Sequence, residues 1–187
     1  MVAQAQPGTN FTASPSPNGN RAHKGAIAWQ NRRMRALPAE ISLHRANGFD
    51  AVPPQTFYRI AKLRQEIFVI EQDCVYLDLD GRDLEPETIQ VWAETEDGRI
   101  ASSVRILNED AEEPGLRSIG RVVTAPIWRG RGIAAAVLRN AIEACDGHPI
   151  LIHAQSHLAE WYGRFGFVTS GPGFLEDGIP HTPMRIG

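Results

Sequence analysis

A chain of 187 residues and 20.6 kDa has room for one domain of ordinary size. With 19 Lys and Arg against 22 Asp and Glu the formal charge is −3, which argues against the basic surface of a nucleic-acid-binding domain. No apolar run approaches the roughly 18 residues of a membrane-spanning helix. Two cysteines, Cys74 and Cys145, are too few for a disulfide framework, so a reducing, cytoplasmic setting is expected.

Charge is unevenly spread. Residues 1–39 hold five bases and no acid, leaving 14 Lys and Arg against 22 acids in the remainder. Residues 1–38 read as a disordered or weakly ordered tail, in which Pro7, Gly8, Pro15, Pro17 and Gly19 sit among Ser, Thr and Asn. The tail lacks the apolar stretch of a secretory signal, and Met34, just before the regular pattern, is a candidate start of translation. A single domain is expected over 39–187.

Within it, residues 40–45 suit a first strand, and Pro53-Pro54 a helix start. Ile60, Leu63, Ile67 and Ile70 then mark one apolar helical face. Residues 66–87 carry eight acids and one base, Arg82, and suggest a cation-attracting mouth, with Glu85 and Glu87 simply solvated. Strands are expected at 89–95 and 100–107, with Asp97-Gly98 turning between them, and at 119–124, ended by Pro126. A helix follows from near Gly132, with Ile133, Ala134, Val137, Leu138, Ala141, Ile142 and Cys145 keeping a 3.6-residue period. Residues 150–152 form a short strand apolar on both faces, and Ser156 suits the N-cap of a short helix through Trp161 and Tyr162. Strands at 167–169 and 184–186 close the set, an α/β domain on a mixed sheet.

The segment Arg129-Gly130-Arg131-Gly132-Ile133-Ala134 carries the most chemistry. Lying between a strand and an amphipathic helix, it is expected to offer helix-start N–H groups and the positive end of the helix dipole to an anion. Its glycines let the backbone approach closely, and Arg129 and Arg131 add charge. Gly130, Gly132 and Ala135 also satisfy the dinucleotide pattern Gly-x-Gly-x-x-Gly/Ala. Against that reading, Pro126, Ile127 and Trp128 separate loop from strand, and residues 150–155 offer His153 but no ribose-binding carboxylate. Asp78-x-Asp80-Gly81-x-Asp83 has its glycine at the fourth position and Ile89 at the twelfth, so it is no EF-hand, and no metal is expected.

Arg129-x-x-Gly132-x-Ala134 matches the Arg/Gln-x-x-Gly-x-Gly/Ala acetyl-coenzyme A signature, and Trp161-Tyr162-Gly163-Arg164-Phe165-Gly166-Phe167 follows an aromatic-Tyr-x-x-x-Gly-Phe pattern. In both, residues 39–187 resemble the GNAT acetyltransferases. Arg64, Phe68-Val69-Ile70-Glu71-Gln72, Asp78-x-Asp80 and the run from Glu176 to His181 are similar to the ElaA-like subgroup. The resemblance implies a GNAT (acyl-CoA N-acyltransferase) fold, with a mixed, mostly antiparallel central sheet flanked by helices. It also implies acetyl-CoA as co-substrate, its pantetheine arm on the backbone of Val122, Val123 and Thr124. The pyrophosphate would lie on Arg129, Gly130, Arg131, Gly132, Ile133 and Ala134. The acceptor would be a primary amine, cationic given the acidic domain, and a homodimer would fit the family.

Acetyl transfer requires a neutral amine. With a pKa near 10.4 an alkylamine is only about 1 part in 2,500 neutral at pH 7, a deficit of roughly 4.6 kcal/mol. Tyr162 stands where the family places the acid that protonates the departing thiolate. Glu71, beside the acidic segment, and His153, with an imidazole suited to proton transfer, are candidate bases. An oxyanion donor would come from backbone N–H near Val123. Cys74 and Cys145 are expected to be buried and apolar in character, with transfer direct and no acetyl-enzyme. A non-catalytic CoA-binding or interaction module of the same fold is the competing reading. Tyr162 and the complete cradle argue against it.

Overall fold

The structure, a computed structural model, describes residues 36–187; most of the expected tail, with Met34, lies outside the described residues. Strand β1 (Ile41–Asn47) leads through a short 3-10 turn to helix α1 (Pro54–Arg64), whose first turn holds Pro54, where a missing N–H leaves no bond unmade. β2 (Ile89–Thr95) and β3 (Ile100–Asn108) form a hairpin across Asp97-Gly98, with Gly98 at φ 80°. Then come β4 (Arg117–Thr124), α2 (Ile133–Ala144), β5 (Ile150–Gln155), α3 (Ala159–Gly163), β6 (Val168–Thr169), β7 (Phe174–Glu176) and β8 (Ile179–Ile186).

The sheet runs β1-β2-β3-β4-β5-β8-β6, with β7 paired to β8. Among the described residues only β4 and β5 are parallel; the other pairings are antiparallel. Side chains alternate across a strand, so Val91 and Ala93 of β2 face one layer and Trp92 the other. On the first side α2 buries Ile133, Val137, Leu138 and Ala141 against Val91, Val104, Ile106 and Ile119. On the second, α1 buries Ile60 and Leu63 against Trp92, Ile100 and Val123. Full burial of each such aliphatic side chain is worth about 1.5–3 kcal/mol, and the two layers together fix the sheet that carries the site.

Four expectations need correction. Ile60, Leu63 and Ile67 are buried as their spacing predicts, but Ile70 is 75% exposed. The chain continues α1 as a π-helix over Gln65–Glu71, and its wider hydrogen-bonded turns take Ile70 off the apolar face. Leu151 is only half buried, because β4 and β5 separate beside it. Ser156 does not act as an N-cap: its hydroxyl pairs with Thr182 Oγ1 at 2.8 Å, and α3 starts from Leu158 with no side-chain cap. Finally, β8 extends back to Ile179 through Pro180 and Pro183, and β7, not expected at all, folds onto it across Asp177-Gly178.

Candidate active site

The site is built on a failure of strand pairing. β4 and β5 are in register only at Arg117–Ile150 and Ser118–Leu151; beyond Ser118 the two strands diverge. On its other edge β4 bulges. Ser103 pairs with Val123 and Arg105 with Gly120, so Arg121 and Val122 together oppose Val104 alone, and Arg121 takes φ 54°. Bulges of this kind re-aim side chains and interrupt a ladder. Here the bulge lies where Val122, Val123 and Thr124 are expected to present backbone. Val123 is 3% exposed and packs under α1, so its side chain is core while its strand borders the gap.

The gap opens into a cleft of about 460 Å³. Val122 and Gly120 line it from β4, His153 and Gln155 from β5, and Tyr162 from α3. Beyond the end of β4, a 3-10 turn (Pro126–Trp128) leads into the expected cradle. Gly130 and Gly132 adopt φ 71° and 85°, and Gly132 is the N-cap of α2. No side chain caps α2, and its first turn contains no acid, so the helix start suits an anion. A Cβ at Gly130 would meet nothing within 4 Å, so the loop is open on that side. Arg131 lies over the Trp128 ring at 4.9 Å, and Arg129 donates from Nε to the Thr124 carbonyl at 3.2 Å.

Of the three expected proton-transfer residues the cleft gathers two. Tyr162 is 6% exposed and set edge-on to Trp161 and Phe167. Burial alone pushes its phenol up to about 12, which keeps it protonated and able to donate. His153 lines the cleft and meets Phe174 edge-on at 5.0 Å, and Phe174 in turn stacks on His181. Glu71 lies at the end of the π-helix, outside the lining, and both its oxygens contact Arg129 Nη2, at 2.8 and 2.9 Å. Cys145 is buried at the C-terminal end of α2, and burial pushes its thiol up to about 12. Cys74 is buried at the cleft wall and burial raises its thiol, with Asp177 and Asp73 adding to the shift.

The acidic segment does something other than expected. Arg64, 1% exposed, donates to Asp78 Oδ2, Asp83 Oδ1 and the Asp78 carbonyl at 2.8–2.9 Å. Arg105 holds Asp80 through two 2.7 Å bonds and also bonds Asp83, while Arg121 pairs with Asp78 and Asp80. Glu85 is not simply solvated but pairs with Arg82 at 2.8 Å, and Glu87 accepts from Asn108. These carboxylates therefore tie the loop to β3 and β4, and most of the negative charge is neutralised there. The cleft's acidic lip comes from Glu176 and Asp177 at the β7–β8 turn. Tyr76, whose ring lies 5.2 Å from the Arg121 guanidinium, and Gln155, bonded to Gln72 at 3.1 Å, also line the cleft, and no local sequence pattern marks them.

Among the described residues no group of three or more His, Cys, Asp or Glu is placed to hold a metal ion, and no helix is long and apolar enough to cross a membrane. The family described as the acetyltransferase (GNAT) domain matches residues 64–187. A UPF0039 protein of Mycobacterium tuberculosis is 42% identical over 130 residues, covering 70% of this chain and 83% of its own. Protein ElaA of Escherichia coli is 34% identical over 131 residues, covering 68% and 84%. The crystal structure of Escherichia coli ElaA superposes with a TM-score of 0.72 over 79% of this chain and 99% of its own, at 28% identity. An acyl-CoA N-acyltransferase from Pseudomonas aeruginosa superposes at 0.73 with 33% identity, again over 79% and 99%. Diverging strands, a glycine-rich helix start and these likenesses agree: the chain belongs to the GNAT acetyltransferase family and is ElaA-like.

Proposed function

We propose that this protein transfers the acetyl group of acetyl-CoA directly to a primary amine. The observation that carries the reading is the gap between β4 and β5, with Tyr162 lining the cleft it opens into and, beyond the end of β4, a helix start that no side chain caps. In this reading the backbone of Val122, Val123 and Thr124 receives the pantetheine arm. The loop from Arg129 to Ala134 receives the pyrophosphate, with Arg129 and Arg131 supplying charge. The thioester then faces the cleft, where the amine enters.

Tyr162 donates its proton to the departing thiolate; a phenol held near 12 is protonated throughout the working pH range. Of the two candidate bases we assign the proton of the ammonium to His153, because it lines the cleft whereas Glu71 lies outside the lining. Glu176 and Asp177 at the lip favour a cationic acceptor.

Wild-type protein is expected to gain thermal stability from acetyl-CoA and to release thiol steadily with at least one member of a panel of amines. In Tyr162→Phe, turnover should fall by about 10²–10⁴, the usual worth of a general acid, with acetyl-CoA affinity within about twofold of wild type. Equal turnover in the two proteins would remove Tyr162 from the mechanism. Absence of CoA binding by the wild type would remove the reading itself.

A further inference from the structure

Glu71 holds a position that the proposed chemistry leaves unused. The π-helix brings it to the cradle rather than to the cleft: Phe68 and Gln72, on either side, line the cleft, and Glu71 does not. Its carboxylate grips Arg129 Nη2 through both oxygens. The same guanidinium donates from Nε to the carbonyl of Thr124, the last residue of β4. The end of β4 is itself fixed from the β3 side, where Ser102 Oγ donates to the Val123 carbonyl at 2.7 Å, shares a hydrogen bond with Thr124 Oγ1 at 3.0 Å, and Ala125 N–H donates to Ala101 at 2.9 Å. Arg129 thus joins three things: the π-helix end, the terminus of the diverging strand and the first residue of the cradle.

We infer that Glu71 is a positioning residue for the cofactor and not the base. It orients Arg129, and through Arg129 it sets the distance between the strand that would receive pantetheine and the loop that would receive pyrophosphate. The inference rests on the proposed CoA reading and assigns a role within that site. The two side chains are 42% and 45% exposed, so the pair adds little to folding. Its effect therefore falls on ligand geometry, where a charge-assisted contact held in register counts for more than its own stability.

The test is a double-mutant cycle on full-length protein, with Glu71→Gln, Arg129→Gln and the pair, reading CoA affinity by calorimetry and kcat and KM for acetyl-CoA by thiol release. Glu71→Gln should weaken CoA binding and raise KM by about threefold to tenfold, with kcat and its pH profile unchanged. The double variant should bind no worse than Arg129→Gln alone, because both substitutions break one strut, and Glu71→Asp should recover part of the affinity. CoA affinity unaltered in Glu71→Gln overturns the inference, whatever happens to turnover. A collapse of kcat with loss of the acidic limb of its pH profile would make Glu71 the base instead. Losses that simply add across the cycle overturn it too. Failure of wild-type protein to bind CoA would be a separate result, against the proposed function.

Discussion

Gly130 stands at φ 71° with no heavy atom within 4 Å of the place a Cβ would take. Space does not demand glycine there; backbone conformation does. Gly130→Ala should therefore cost about 1–2 kcal/mol, the penalty for a left-handed L-residue, and lower the urea midpoint accordingly. Gly130→Asn should recover much of that loss, since asparagine tolerates the conformation. Equal losses in the two variants would point to a steric cause. This residue was legible in the sequence because its evidence is local: two glycines, two arginines and a helix start lie within six positions. Tyr162 was expected through the family likeness and His153 through its place at the end of the strand over 150–152, and both line the cleft. The partner of Glu71 was not, because Arg129 lies 58 positions away and only the π-helix, which no local pattern reveals, brings them together.

At the scale of elements, the acidic loop shows why a run of like charge misleads. In sequence it is eight acids and one base, and it reads as a mouth for cations. In the structure Arg64, Arg105 and Arg121 come from α1, β3 and β4 to meet it, across 14 to 43 positions of chain. Removing one partner of a buried pair leaves a charge stranded, so Arg64→Leu should cost about 3–5 kcal/mol of folding stability, measured by denaturant unfolding. A loss under 1 kcal/mol would mean that Asp78 and Asp83 find other partners. The same loop sets acid stability. Burial works against the Asp80 carboxylate, but the Arg105 bonds and charge outweigh it and hold the group at about 2. A group with a depressed folded pKa stabilises above its unfolded value and loses that contribution as pH falls toward the folded one. Wild-type stability should therefore drop between about pH 4 and 2, and Asp80→Asn should flatten that part of the curve. β7 was illegible for a different reason: its three residues are all exposed, so no burial periodicity exists to read.

For the molecule as a whole, the sheet is two ladders joined along a short seam. β1 to β4 form one continuous antiparallel set and β5, β8, β6 and β7 another, and only two residue pairs of β4 and β5 hold them in register. The α/β class and most elements followed from periodicity and turn residues, since the longer strands and helices keep a buried face, whereas β6 and β7 expose all their residues. The seam's early end did not, because Ile119 to Thr124 reads like any paired strand; the open backbone of Val122, Val123 and Thr124 was expected only through the family resemblance. A ligand lying in the gap would bridge the two ladders and supply the partners that β4 lacks on that side. Hydrogen exchange should therefore be slowed by CoA at Val122, Val123 and Thr124 and at the first turn of α2. At ligand concentrations near 100 times Kd the protection should approach about 100-fold, the limit set by coupling of opening to ligand release. Amides of β2 and β3, already paired on both sides, should change far less. Uniform protection across the sheet would mean that CoA acts only by opposing global unfolding, with no local effect at the seam, whereas protection confined to α2 would support the pyrophosphate site but not the pantetheine arm.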